Sequence, residues 1–145
     1  MESSSVSIPD VVNKYKVVAV VGASKNPEKD AHTVPAYLVS HGFTVIPINP
    51  SADTILGLKA YPSLSSLPDE LAKSVEIVDV FRPSGELTDV ASQVAEMRRR
   101  VGRPFVLWAQ LGIENEAARD ILTRAAVGFV MDSCIRTAHQ AYGRA

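Results

Sequence analysis

Five short runs of apolar, mostly β-branched residues set the narrowest limit on how this chain folds. The first, Lys16-Val17-Val18-Ala19-Val20-Val21-Gly22, does not alternate between apolar and polar side chains. It therefore reads as a strand buried on both faces, the kind found inside parallel sheets. Four more follow, at Phe43 to Ile48, Val75 to Phe81, Pro104 to Trp108 and Val127 to Met131. Parallel neighbours need long crossovers, and the segments between the runs supply them. Leu87, Val90, Val94, Met97 and Val101 are spaced 3, 4, 3 and 4 and predict a helix over 85–101, with Ser84 as its N-cap and Arg98, Arg99 and Arg100 at its negative dipole end. Asn115 opens a second helix that runs to about Ala126, and Thr33 to His41 is a third whose start Pro35 sets, because proline fits a first turn.

Strands alternating with helices predict an α/β chain. The expected fold is a Rossmann-like, doubly wound parallel sheet of about five strands with helices on both faces and strand order 3-2-1-4-5. Pro50 to Leu71 is irregular and reads as a long crossover with a short strand near Lys59 to Tyr61 and a helical turn near Pro68 to Ala72. Residues 1–8 are serine-rich and expected to fray, and 9–15 form a short leading helix.

With 145 residues, 46% of them hydrophobic, the chain is the size of one domain spanning 1–145. A net charge of −1 provides no basic field, so nucleic acid is not an expected partner. No apolar run approaches the roughly 20 residues of a membrane-spanning helix, and Glu2, Pro9 and Asp10 stand where a signal peptide would be apolar, so a cytoplasmic protein without a membrane partner is expected. Cys134 is the only cysteine, which excludes an internal disulfide.

In such sheets ligands bind beyond the carboxyl ends of the strands, where strand order reverses, so the loops after the first four strands carry the candidate site. The first is Gly22-Ala23-Ser24-Lys25, whose backbone N–H groups and Ser24 hydroxyl can face a phosphate or simply form a turn; only Gly22 matches the dinucleotide pattern G-x-G-x-x-G. The second is Asn49-Pro50, where an NAD-binding domain would place an acidic residue; Asn49 either reads a nucleotide edge or begins a turn. The third, Phe81-Arg82-Pro83, sets an aromatic wall beside a guanidinium that either grips a phosphate or packs as a surface stem. The fourth holds Trp108, Gln110 and Gly112; the tryptophan is either core or wall, and the uncharged amide of Gln110 needs a partner. His41 reads as a helix end, and Asp132, Cys134 and His139 lack the second ligand pair of a zinc site, so no metal is expected and Cys134 reads as structural. There is no nucleophile elbow, P-loop or H-E-x-x-H, and no catalytic residue is assigned.

Eight segments in order carry a resemblance: Val-Val-Gly-Ala-Ser at 20–24, Val-Pro-Ala-Tyr-Leu at 34–38, His-Gly-Phe at 41–43, Ile-Pro-Ile-Asn-Pro at 46–50, Gly-Leu-Lys-Ala-Tyr at 57–61, Val-Asp-Val-Phe-Arg at 78–82, Trp-Ala-Gln-Leu-Gly-Ile at 108–113 and Val-Met-Asp-Ser-Cys at 130–134. Over Lys16 to His139 the chain resembles the small stand-alone CoA-binding proteins, which are similar to the CoA-binding domain of the succinyl-CoA synthetase alpha subunit. The resemblance implies coenzyme A or an acyl-CoA across the strand ends. Gly22, Ala23, Ser24 and Lys25 would then lie at its phosphates, Asn49 and Pro50 at the nucleotide, and Phe81, Arg82 and Pro83 along its flank. Trp108, Gln110 and Gly112 would lie toward the pantetheine arm. The chain departs from the family at Ser133, where arginine is common, and at Ser51, Ala52 and Asp53, where related synthetase domains have a lysine, which leaves Lys25, Lys29 or Lys59 as the cation for the 3′-phosphate. The synthetase domain with the phosphorylated histidine has no counterpart, so the resemblance implies a carrier, sensor or regulatory module without chemistry of its own. The alternatives are a small NAD(P)-dependent enzyme and an interaction subunit with a vestigial pocket; a homodimer is expected from base rates.

Overall fold

The computed structural model of the chain describes residues 3–144. In chain order these form β1 (Ser3–Ser4), α1 (Ile8–Lys14), β2 (Val17–Val21), α2 (Asp30–Ser40), β3 (Thr44–Ile48), β4 (Thr54–Ile55), β5 (Leu58–Lys59), α3 (Asp69–Ala72), β6 (Ile77–Val80), α4 (Leu87–Val101), β7 (Val106–Ala109), α5 (Glu116–Arg124), β8 (Gly128–Met131) and α6 (Ile135–Tyr142). The five apolar runs are the five parallel strands β2, β3, β6, β7 and β8, and β1 adds an antiparallel edge, giving a six-stranded sheet in the order β1-β8-β7-β6-β2-β3. Each run packs on both sides, as the missing alternation requires: α1, α2 and α6 cover the face bearing Val18, Val20, Ile77, Val106 and Trp108, while α3, α4 and α5 cover the face bearing Ala19, Val78, Val80 and Leu107.

The strand order corrects the sequence reading. Counting only the five parallel strands it is 2-1-3-4-5, not 3-2-1-4-5, so the third parallel strand, β6, separates β2 from β7. The chain reverses direction across the sheet after β3, which places the switch point between β2 and β6. The loop after β7 stands one strand further away.

Two local expectations also change. Pro35 does not start α2; the helix begins at Asp30 and carries Pro35 inside it. A proline leaves the carbonyl four residues earlier without its helical donor, here that of Ala31, and this carbonyl instead accepts the Ser24 N–H at 3.0 Å. The proline that would break an isolated helix thus ties α2 to the loop after β2. Fraying over 1–8 does not describe residues 3–8, since Ser3 and Ser4 pair with Met131 and Val130, and Ser7 caps α1 by accepting from the Asp10 N–H; residues 1 and 2 lie outside the described residues. Ser84 is not a side-chain cap either: it opens a single 3-10 turn over Ser84–Glu86, and its hydroxyl accepts the Glu114 N–H. Asn115 caps α5 as its residue type requires, accepting from the Ala118 N–H at 2.9 Å. In the irregular crossover, β4 and β5 form a small antiparallel hairpin and Tyr61 bridges to Ile48. No helix among the described residues is long and apolar enough to cross a membrane.

Candidate functional site

A cleft of about 580 Å³ opens at the carboxyl ends of β2, β3 and β6, at the reversal of strand order. Gly22, Ala23, Ser24, Asn49, Pro50, Phe81 and Arg82 line it, as the sequence led one to expect, together with Lys29, named only as a candidate cation. Ser51, Ser63, Glu86, Asp89 and Gln93 complete much of its polar rim. Glu86 and Asp89 stand at the start of α4, where acidic residues complement the helix dipole, so their residue type gave no separate sign that this helix start forms part of the cleft wall.

Gly22 shows why the first loop is built as it is. Its φ is +85°, in the left-handed region, and a Cβ there would stand 2.9 Å from the Phe81 carbonyl oxygen and 3.0 Å from Arg82 Cδ. The glycine lets the chain leaving β6 pass directly over the end of β2, with the Arg82 stem lying across it. The turn is held from within: the Gly22 N–H donates to Ile48 O and the Ser24 N–H to Ala31 O, both at 3.0 Å, and the Asn26 N–H donates to Ser24 Oγ. His32 Nδ1 lies 2.7 Å from Ser24 O and fastens the same loop to α2. Two of the backbone donors offered for a phosphate are therefore spent on the fold, and a ligand at this turn is left the N–H groups of Ala23 and Lys25.

Asn49 resolves in the same direction. Its side-chain amide donates to Ala23 O at 2.9 Å and its Oδ1 accepts the Ser51 N–H at 2.7 Å, so it welds the loop after β3 to the loop after β2 and presents only its flank to the cleft. Arg82 is half exposed and its Nη2 meets both carboxylate oxygens of Glu86, at 2.8 and 3.0 Å. An anion in the cleft thus competes with Glu86 for the guanidinium.

The other expected residues lie off the cleft wall. Lys25 and Pro83 are exposed beside it, and Lys59 lies over the Tyr61 ring on the β4–β5 hairpin, 5.1 Å from its centroid. Trp108 is fully buried, its Nε1–H donating to Ser133 O at 2.8 Å, so it is core and not wall. Gln110 is buried and finds its partner in the fold, its Oε1 accepting the Ile135 N–H at 3.1 Å. Gly112, with φ +80°, donates its N–H to Asp132 Oδ1 and is exposed. The strand order explains all three, because β6 stands between β7 and the switch point. Among the described residues no three His, Cys, Asp or Glu gather as a metal site would require.

The chain is similar to known proteins over most of its length. A model of the family described as CoA binding domain matches residues 16–140. The uncharacterised protein YneT of Bacillus subtilis (strain 168) is 36% identical over 136 residues, 94% of each chain. The ADP-forming acetate–CoA ligase II of Archaeoglobus fulgidus is 35% identical over 94 residues, which are 62% of this chain but 13% of the ligase. Among solved structures, a hypothetical protein from Pyrococcus horikoshii OT3 superposes with a TM-score of 0.83 at 32% identity, covering 93% of this chain and 89% of that one. On the extent of these matches, the chain belongs to the CoA-binding domain family.

Proposed function

We propose that the cleft binds coenzyme A or an acyl-CoA and that the chain acts as a carrier, sensor or regulatory module. The observation that supports this reading is the coincidence of the family match with a cleft of about 580 Å³ at the switch point, lined by Gly22, Ala23, Ser24, Asn49, Pro50, Phe81 and Arg82 from among the residues that the resemblance assigns to the ligand. The diphosphate sits at the turn after β2, facing the N–H groups of Ala23 and Lys25, with Lys29 and Arg82 as its cations. The adenosine lies over Asn49 and Pro50, with the ring of Phe81 on the flank. Lys25 and Lys59 remain candidates for the 3′-phosphate. The pantetheine arm leaves the cleft toward the exposed Gly112, beyond the cleft wall. Small-molecule binding in a cytoplasmic chain needs no nucleic acid and no membrane, and homodimerisation is compatible with it.

The Arg82–Glu86 pair supplies the test. Arg82→Ala removes a charge-assisted contact and should weaken CoA binding by about 1 to 2 kcal/mol, roughly five- to thirtyfold, after allowance for the exposed ion pair with Glu86 that the ligand must replace. Glu86→Gln removes the competitor and should tighten binding. Calorimetric titration of both variants reads the two effects. Unchanged affinity in both would take Arg82 out of the ligand's reach.

A further inference from the structure

Two carboxyl groups on neighbouring elements meet different surroundings. Asp79 on β6 is fully buried in a row with Val20, Trp108 and Val130, and neither of its carboxylate oxygens has a hydrogen-bond partner, so its cost falls on the fold. Asp89 is exposed and stands on the wall of the cleft. There Glu86, Asp89, Val90 and Gln93 follow one another at the spacing of a single helix face, so α4 turns one side of its N-terminal half to the cleft.

The polar groups of this wall are not equivalent. Glu86 is held by Arg82, the Asn49 side chain is spent on Ala23 O and the Ser51 N–H, and the Ser63 hydroxyl accepts the Ser66 N–H. Among the described residues, Asp89 and Gln93 bond only to each other. Gln93 Nε2 donates to Asp89 Oδ2 at 3.3 Å, a long bond that yields to a better partner. Asp89 thus offers carboxylate acceptors, and Gln93 an amide that both donates and accepts. Ile48, Pro50, Pro62, Leu64 and Val90 give the same cleft apolar surface for a flat ring. The edge that matches these groups has an N–H donor beside a ring-nitrogen acceptor. Adenine has such an edge, its amino N6 lying beside N1 or N7, and glutamine amides pair with it. Hypoxanthine and guanine carry an oxygen at position 6, which the Asp89 carboxylate would repel.

We propose that Asp89 and Gln93 read the purine edge of the nucleotide in the cleft and select adenine over 6-oxopurines. The inference rests on the reading of the cleft as a CoA site, in which the adenosine lies over Asn49 and Pro50. On binding, N6–H donates to Asp89, and Gln93 Nε2 exchanges Asp89 for the ring nitrogen. The turn after β2, Lys29 and Arg82 hold the diphosphate whichever base is present, so the choice of base falls to α4.

The test is calorimetric titration of the wild-type chain with CoA and with deamino-CoA, its hypoxanthine form, and with ADP and IDP as a second pair. CoA should bind about tenfold more tightly than deamino-CoA, and ADP more tightly than IDP, because the 6-oxo forms lose a hydrogen bond to a charged acceptor. Asp89→Asn places an amide donor opposite the oxygen and should bring both ratios to about one or below. Gln93→Ala should weaken the adenine ligands and narrow the ratios. Both side chains reach solvent, so both variants are expected to fold. Equal affinity of the wild type for CoA and deamino-CoA, or a preference that both variants keep, would overturn the inference and leave CoA binding standing. ADP bound over IDP without any binding of CoA would overturn the CoA reading alone, and no binding of any of the four ligands would overturn both.

Discussion

Gly22→Val is expected to cost about 2 to 6 kcal/mol of folding stability, enough to consume a large part of the margin of a domain of this size. Two terms add. A β-branched residue held at φ +85° is strained by roughly 1 to 3 kcal/mol, and its Cβ would press on the Phe81 carbonyl at 2.9 Å, where backbone cannot yield cheaply, at a further cost of about 1 to 3 kcal/mol. Gly42 separates the terms: its φ is +87° but nothing lies within 4 Å of its absent Cβ, so Gly42→Ala carries only the backbone strain. Urea unfolding should therefore show Gly22→Ala costing more than Gly42→Ala, with Gly22→Val worst. Equal losses at the two glycines would mean that the crossing of the β6 exit over β2 is not under packing constraint. Any loss of CoA binding in Gly22→Val would then be read together with a loss of fold, since this glycine serves the sheet before it serves a ligand.

Asp79→Leu is expected to change stability in the opposite direction. Leucine has the same number of side-chain heavy atoms and no polar group to strand among Val20, Trp108 and the cluster around them. The replacement should stabilise the fold by about 2 kcal/mol near neutral pH. The pH dependence has a definite sign. The native carboxyl has a raised pKa, so between the unfolded value near 4 and its own value the native state binds more protons than the unfolded chain. Stability is fully present below the unfolded pKa and falls as pH rises through that window, by at most about 1.4 kcal/mol per pH unit. Unfolding curves at successive pH values should show this decline in wild type and its absence in Asp79→Leu. A destabilised variant that retains the slope would show that the carboxyl has a partner and that the slope belongs to another group.

The contrast between these two residues shows what the sequence could and could not convey. The buried runs, the alternation with helices and the glycine-bounded exit of the first strand are local patterns, and each became the element it predicted. Strand order is not local. Whether the chain doubles back after its second strand depends on which face α2 and α3 pack against, and the five runs look the same in either arrangement. That single uncertainty displaced Trp108, Gln110 and Gly112 from the cleft, because it set their strand beside β2 when β6 stands between. Pro35 misled for a related reason: its cost inside a helix is real, but the Ser24 N–H that offsets it comes from a loop 11 residues earlier. Gln110 was singled out as an amide in need of a partner and has one in the Ile135 N–H, while Asn49, open between a nucleotide edge and a turn, accepts the Ser51 N–H and donates to Ala23 O. Asp79 was legible and passed over, as a carboxylate in the middle of the run Val75 to Phe81 that had already been read as buried on both faces.

The central claim is that the cleft at the end of β2 takes coenzyme A in preference to the dinucleotides that share this type of sheet. The most direct test is calorimetric titration of the wild-type chain with CoA, with NAD and NADP titrated under the same conditions. The account predicts a saturable one-site isotherm with CoA and no saturable heat with NAD or NADP, since the glycine pattern is incomplete and Asn49 replaces the acidic ribose ligand at the end of β3. Saturable binding of NAD or NADP with no heat from CoA would contradict it.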